Sequence, residues 1–556
     1  MSNKNLVEIQ LDAGWIQINR NNQILWFKGY LLNSSVDQLY ERFSRLSKKT
    51  SPTIDEFQDI VKSIRGHFSF VWQDGSLIFS TVDKVSSIPL FYAKDKSRTI
   101  IGNHAPSLKN RLNLGWDDVN YSAALEIAMS GYTINRKTLY HNIFQFNAGE
   151  CLLLTMGKLK RSFYCTYSPW KVINQDKVKL KKKLTECILH SLEEMAEGLH
   201  GRQIVVPLSA GSDSRLIASG LKFLGVKNVF CFSYGRDNSF ESKISKNVSE
   251  KLGFLWRHIS LTSNNQRNFF SSGEFNEYKS HFNTLASVPF LQDVLAIKQL
   301  KERNIIDQDA VIVNGNTGDY ISGGHMPPSF TNNILNIDAM PKIIESSWVY
   351  FLEKNFSLWG VIRNSKNDSY LFNELEELLK DRVVPEHVDA EHSHGLFECV
   401  EYLTRQSKYI INMQRSYEFY GYNWRMPLWS DQMMGFWEGV PRIYKINQNL
   451  YKNTLKENDW GGVWRDIEIN HRVIQPKWII PLRFMSKILL SPFEIEVWRQ
   501  FERNAFQYHM DVTRNSVIVP YYKTLFDQRG QRHGLSWIAE NYLQESGFNK
   551  ITKNFP

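Results

Sequence analysis

From Arg202 onward, short and wholly apolar runs alternate with amphipathic helical patterns. QIVVPL (203–208) is followed by SRLIASGLKFLG (214–225), whose Ile217, Leu221 and Leu224 share a helical face. VFCFSY (229–234) is the next apolar run, and ESKISKNVSEKLG (241–253) returns to helix with Ile244, Val248 and Leu252 at i, i+4 and i+8. A strand from Trp256 to Leu261 and a later one in AVIVNG (310–315) extend the series. Strands apolar on both faces need cover on both faces, and the intervening helices supply it. The pattern predicts a doubly wound parallel sheet.

On either side the texture differs. Residues 1–165 carry short alternating runs (WIQINR, ILWFKGYLL, HFSFVWQ, SLIFSTV, ECLLLTM) divided by turn signals such as Asp74-Gly75, which predict a β-rich domain. A charged linker leads into a helix from about Leu180 to Leu199, its lysines read as a solvated face. Residues 180–340 hold the parallel sheet, and 341–556 read as mainly helical and aromatic-rich. At 556 residues, with 42% hydrophobic and 22% charged residues, the chain is globular and too long for one ordinary domain.

Val206-Pro207-Leu208-Ser209-Ala210-Gly211-Ser212-Asp213-Ser214-Arg215 lies between an apolar strand and a helix. Backbone N–H groups converge there, and the helix dipole favours an anion. Ser209, Gly211 and Ser214 are placed to donate to phosphate oxygens, and Asp213 to hold a divalent cation bridging them. No Gly-Lys-Ser/Thr closes the loop, so it is not a Walker loop. A second segment, Asn314-Gly315-Asn316-Thr317-Gly318-Asp319-Tyr320-Ile321-Ser322-Gly323-Gly324, follows another apolar strand with the same ingredients. Loops at the carboxyl ends of neighbouring strands meet in one crevice. Two such loops imply a nucleotide polyphosphate with Mg2+.

These residues resemble the asparagine synthetase family, whose synthetase domain belongs to the PP-loop ATP pyrophosphatases. Ser209–Ser214 matches the family's SGGxDS except at Ala210, which is acceptable where φ is negative. Phe232-Ser233-Tyr234-Gly235 looks like the strand end that lines the adenine. Gly315–Gly324 matches GEGxDExxxGG in part: Asp319 falls on the magnesium aspartate, while Asn316, Thr317 and Tyr320 replace glutamate, glycine and the second acid. Arg425-Met426-Pro427-Leu428 is similar to RxPFLD, with Asp431 one residue late. Val440-Pro441 followed by Lys445 and Lys452 resembles the "LP…K" passage, and Lys477 is the candidate for the lysine facing pyrophosphate.

The N-terminal region resembles the family's glutaminase domain through Gly66–Val71, Ile88–Tyr92 and Thr138–Gly149. The nucleophile is missing. Position 2 is Ser2, no cysteine precedes Cys151, and a thiolate far exceeds a hydroxyl as nucleophile near neutral pH. The resemblance therefore implies an α+β and α/β chain. Residues 1–165 form an Ntn-hydrolase-like β-rich sandwich, a degenerate glutamine amidotransferase-like domain. Residues 180–340 form a doubly wound adenine-nucleotide alpha-hydrolase-like synthetase domain, with 341–556 as its helical continuation.

The implied activity is an ATP-dependent carbon–nitrogen ligase that adenylates an acceptor carboxylate, releases pyrophosphate and transfers ammonia or an amine. The expected cofactors are ATP and Mg2+, with Asp213 and Asp319 on the metal. Asp213, Asp319, Lys477 and Asn316 are the catalytic candidates. Leu208, Ser209, Ala210, Gly211, Ser212, Ser214, Tyr234, Asn314 and Gly315 are the candidates for ATP and pyrophosphate. The expected partners are a small-molecule carboxylate and an amine donor, or a separate glutaminase. A non-catalytic ATP-binding scaffold and an RNA-modifying PP-loop enzyme are the alternatives. The charge of +10 from 67 basic and 57 acidic residues comes without a dense basic stripe, which argues against nucleic acid. Five irregularly spaced cysteines fit a reducing cytoplasm, and no apolar run is long enough to span a membrane. The segment EHVDAEHSHG (386–395) reads as a polar loop rather than a metal site.

Overall fold

The computed structural model describes residues 6–12, 14–49, 51–95, 98–155, 157–171, 175–332, 337–382, 392–469, 474–510 and 518–555. It is a mixed α/β molecule with three sheets, one of them wholly parallel.

The first ten strands are β1 (Leu6–Gln10), β2 (Ile16–Arg20), β3 (Gln23–Leu31), β4 (Gly66–Asp74), β5 (Leu77–Val82), β6 (Phe91–Lys94), β7 (Arg98–Gly102), β8 (Ile143–Gln145), β9 (Glu150–Thr155) and β10 (Lys158–Phe163). They form a four-stranded sheet in the order β1-β7-β6-β8 and a six-stranded sheet in the order β10-β9-β5-β4-β3-β2. Val71, Ile78, Val82, Leu90, Tyr92, Ile101 and Leu152 pack together in one core. A second core sets Phe27, Phe68, Phe70 and Phe79 against the helices Val36–Ser47 and Ile54–Lys62. The sequence reading gave this region to strands and passed over those two helices. Their signals are present: Leu39, Tyr40, Phe43 and Leu46 recur at helical spacing, and Ser35 and Thr53 each close a capping box.

The helix Lys177–Glu197, capped by Asp176, leads to the parallel sheet. Its strands are β11 (Ile204–Pro207), β12 (Val229–Gly235), β13 (Leu255–Ser260), β14 (Val311–Val313) and β15 (Asn423–Arg425), in the order β13-β12-β11-β14-β15. β11 and β14 are the neighbours at which the winding reverses, and ligand crevices open at such a switch point. β15 comes from the stretch read as mainly helical. Three residues, Asn423-Trp424-Arg425, are too few to show a strand period, and pairing with β14 fixes them instead.

Candidate active site

The loop after β11 is closed by its own serines. Ser214 Oγ accepts the Ser209 N–H at 2.9 Å, and Ser209 Oγ accepts the Gly211 N–H at 3.1 Å. Gly211 is the N-cap of the helix Ser212–Phe223 without any side-chain cap, so that helix end faces the crevice with its donors uncapped by side chains. Ala210 is buried and lies outside the left-handed region, as the substitution of alanine requires.

The loop after β14 folds directly onto the first. The Asp319 N–H donates to Asp213 Oδ2 at 2.9 Å, and Tyr451 O–H donates to Asp213 Oδ1 at 2.9 Å. A Cβ on Gly315 would lie 2.7 Å from the Asp213 carbonyl carbon, and one on Gly318 2.5 Å from its carboxyl carbon. Both positions admit only glycine because Asp213 occupies that space. Burial and then the neighbouring Asp319 push the Asp213 carboxyl up to about 7. Burial would also raise Asp319, but the adjacent His325 outweighs it and holds Asp319 below the ordinary carboxylate range. Two converging carboxylates suit a divalent cation that takes its remaining ligands from phosphate and water.

Thr317 sits between those glycines at φ 89°, a left-handed value that β-branched residues avoid. Its side chain is buried, and Oγ1 has no hydrogen-bond partner. Strain of this kind costs about 1–3 kcal/mol, more than the chain-entropy cost of about 1 kcal/mol for glycine. Thr317→Gly is therefore expected to raise the thermal midpoint, and Thr317→Ala to leave the protein less stable than the glycine variant. A more stable alanine variant in thermal unfolding would show that the backbone there is not strained.

Two cavities flank Asp213. One, of about 220 Å3, is lined by Leu208, Ser209, Ser214, Phe232, Tyr234, Asp293, Asn314, Gly315 and Asn316. Its wall is aromatic, and its floor is Asp293, which accepts O–H donors from Tyr234 and Tyr417 at 2.5 Å each. Asn316 Nδ2 is buried there without a partner. The other cavity, of about 520 Å3, is lined by Gly211, Ser212, Asp319, Lys452, Lys456 and Trp464 among others. Lys452 and Lys456 stand one turn apart on the helix Asn449–Asn458. Burial and the charge of Lys456 hold the Lys452 ammonium below its ordinary range. Ser209, Asp213 and Ser214 border both cavities.

The structure thus brings together eleven of the thirteen candidate positions singled out from sequence and leaves two aside. Ala210 lines neither cavity, although its carbonyl accepts from Arg215. Lys477, expected at the pyrophosphate, is exposed in the turn before the helix Ile479–Leu489 and also lines neither. The chain passes the cleft at Trp464 and Ile469 and has left it by residue 477. Lys452, noted only within the "LP…K" passage, lies in the cleft together with Lys456, while Lys445 is fully buried against Glu398 at 2.7 Å.

Sequence reasoning also missed His325. Its Nε2 lies 3.3 Å from Asp319 Oδ2, and its Nδ1 is 2.5 Å from Glu401 Oε1. Burial favours the neutral imidazole, but the two carboxylates outweigh it and raise its pKa. Tyr320, in place of an acid, is buried with its O–H on the Glu398 carbonyl. Asp431 forms an ion pair with Lys84, and Arg425 stacks 3.8 Å from the Tyr30 ring, so both tie β-rich and parallel-sheet regions together. Ser2 and most of EHVDAEHSHG, 386–391, lie outside the described residues.

No family model matches the sequence, and no curated protein does. Solved structures similar over part of the chain include "the allosteric regulatory enzyme of purine biosynthesis", at 11% identity, 44% of this chain, 62% of that chain and a TM-score of 0.18. Another is the glutamine phosphoribosylpyrophosphate amidotransferase of B. subtilis complexed with ADP and GMP, at 9% identity, 54% of this chain, 63% of that chain and a TM-score of 0.18. The chain spans less than two thirds of the length of either. At these values neither likeness bears on what this chain does. Among the described residues no helix is long and apolar enough to cross a membrane.

Proposed function

We propose that this chain is an asparagine-synthetase-like, ATP-dependent amide ligase that activates a carboxylate as its acyl-adenylate. The supporting observation is the joining of two loops at the sheet's switch point through Asp213, with an aromatic cavity on one side and a dilysine cavity on the other. Adenosine fits the side of Phe232 and Tyr234, and pyrophosphate the side of Lys452, Lys456 and the uncapped helix end. Asp213 and Asp319 would hold Mg2+ between them, and the ion would neutralise charge developing on the leaving pyrophosphate. Residues 1–165 fit a degenerate glutamine amidotransferase-like domain, and the amine is ammonia, an amine-bearing substrate or the product of a separate glutaminase.

Asn316 offers no base, having no titratable group near neutral pH. His325, flanked by Asp319 and Glu401, is biased toward its protonated form. The amine therefore arrives neutral, and the unpartnered Asn316 Nδ2 positions an oxygen of the acceptor or of its α-phosphate. The buried Tyr320 in place of an acid favours a second reading, a non-catalytic ATP-binding scaffold.

ATP–pyrophosphate exchange across a panel of carboxylates separates the two readings, since a scaffold exchanges with none. Lys452→Gln/Lys456→Gln is expected to lower exchange about 100-fold or more, because each charge-assisted contact contributes about 1.5–3 kcal/mol. Exchange within threefold of wild type would remove the pyrophosphate from this cavity.

A further inference from the structure

Apolar side chains concentrate on the surface at one place outside the cleft. The helix Ile479–Leu489 buries only Ile479, whereas Trp478, Leu482, Phe484, Met485, Ile488 and Leu489 stand 46–71% exposed. At 3.6 residues per turn, the exposed apolar positions of this helix cover an arc of roughly 200°. The next helix, Ile495–Ala505, packs Trp498 and Ala505 beneath it and continues the patch with exposed Phe493, Ile495 and Val497. An apolar surface of this extent on a folded protein marks a contact with something apolar.

Both ends of this helical hairpin are fastened to the parallel-sheet region. Arg215 grips the carbonyls of Val463, Ile467 and Glu468 ahead of it, and Arg236 donates to the His509 carbonyl behind it. Charge points to the kind of surface: the first limb, residues 474–493, contains Lys477, Arg483 and Lys487 and no acidic residue, whereas the second limb carries Glu494 and Glu496, the latter paired with Arg499 and Arg503. Arg483 is paired with Glu502, while Lys477 and Lys487 have no ion pair among the described residues. Lys487 borders the apolar arc. Eleven residues span about 16 Å, too short to cross a bilayer, yet the combination of a cationic rim with Trp, Phe and Leu is that of an in-plane interfacial helix.

We propose that the Trp478–Phe493 limb of this hairpin docks the protein on an anionic phospholipid surface, with the Ile479–Leu489 helix lying in the interface. The inference is independent of the ligase reading. The test is flotation of the full-length protein with phosphatidylcholine vesicles, with and without phosphatidylglycerol. Wild type is expected to float with the anionic vesicles at least tenfold more than with the neutral ones. Phe484→Glu/Leu489→Glu is expected to abolish flotation without moving the thermal midpoint, since both side chains are exposed. Lys487→Glu is expected to weaken flotation several-fold and only with the anionic vesicles. Flotation retained by the double glutamate variant, or absent in wild type, overturns the proposal. A wild-type dimer that the double variant converts to monomer, with no vesicle binding, assigns the face to a second copy of this chain instead.

Discussion

Asp213→Asn is expected to lower pyrophosphate release by roughly three orders of magnitude or more, while removing the loss of heat resistance that the ligand-free wild type undergoes from acid to neutral pH. The first effect follows from removing one of two carboxylates that would hold a cation against the phosphates. The second follows from linkage. The folded-state pKa of Asp213 is raised from 3.8 to about 7, so the folded protein binds this proton more tightly than the unfolded chain. Wild type therefore loses stability as pH climbs from about 4 through about 7, and the loss is complete above that. Asparagine carries no charge for Asp319 to repel, and its single carbonyl oxygen keeps one of the two acceptors that Asp213 offers to Tyr451 and to the Asp319 N–H, so the bond lost is a pH-independent offset. The midpoint difference, variant minus wild type, should grow through that window and then level off. Two measurements decide it: exchange activity, and thermal unfolding as a function of pH. A folded variant with more than a tenth of wild-type exchange ends the metal role. A flat midpoint difference ends the charge-crowding account.

The parallel sheet was legible because its strands are apolar on both faces, a pattern that loops and surface helices do not imitate. Val205, Val206, Ile312 and Val313 are fully buried, as their runs implied. The two loops were legible for a related reason: glycines beside an aspartate are recorded locally, and Gly315 and Gly318 are there because Asp213 leaves no room for a Cβ. What stayed hidden lies far away in the chain. Tyr451, which holds Asp213, is 238 residues distant, and Lys452 and Lys456 share its helix. Their i, i+4 spacing is ordinary on a solvated helix, so nothing local marks them as facing an anion. Lys477 failed for the converse reason. Order along the chain suggested it, but Ile469 lines the cleft and Lys477 does not.

Arg215 shows how such distant pieces are held, and its loss is expected to be the largest structural effect of a single substitution near the cleft. The side chain is fully buried, with its guanidinium donating to Val463 O and Ile467 O at 2.9 Å and to Glu468 O at 2.7 Å. None of these partners is a carboxylate, and burial lowers its pKa to about 10, still high enough to remain charged at neutral pH. Three carbonyls from a loop with no regular structure thus depend on one cation, which also faces the Trp464 ring at 5.7 Å. Arg215→Met matches the volume but leaves those carbonyls without their donor in a dry site. The expected cost is about 3–5 kcal/mol, from several charge-assisted hydrogen bonds lost and acceptors left buried. Because Trp464 and Ile469 line the dilysine cavity, the same variant should weaken pyrophosphate binding even at temperatures where it stays folded. Hydrogen exchange reads this locally: amides from Val463 to Ile469 should lose protection while those of the central strand β11 keep it. Unchanged protection across Val463–Ile469, together with a midpoint within about 2 °C of wild type, would mean that packing of Trp464 holds the loop and Arg215 does not.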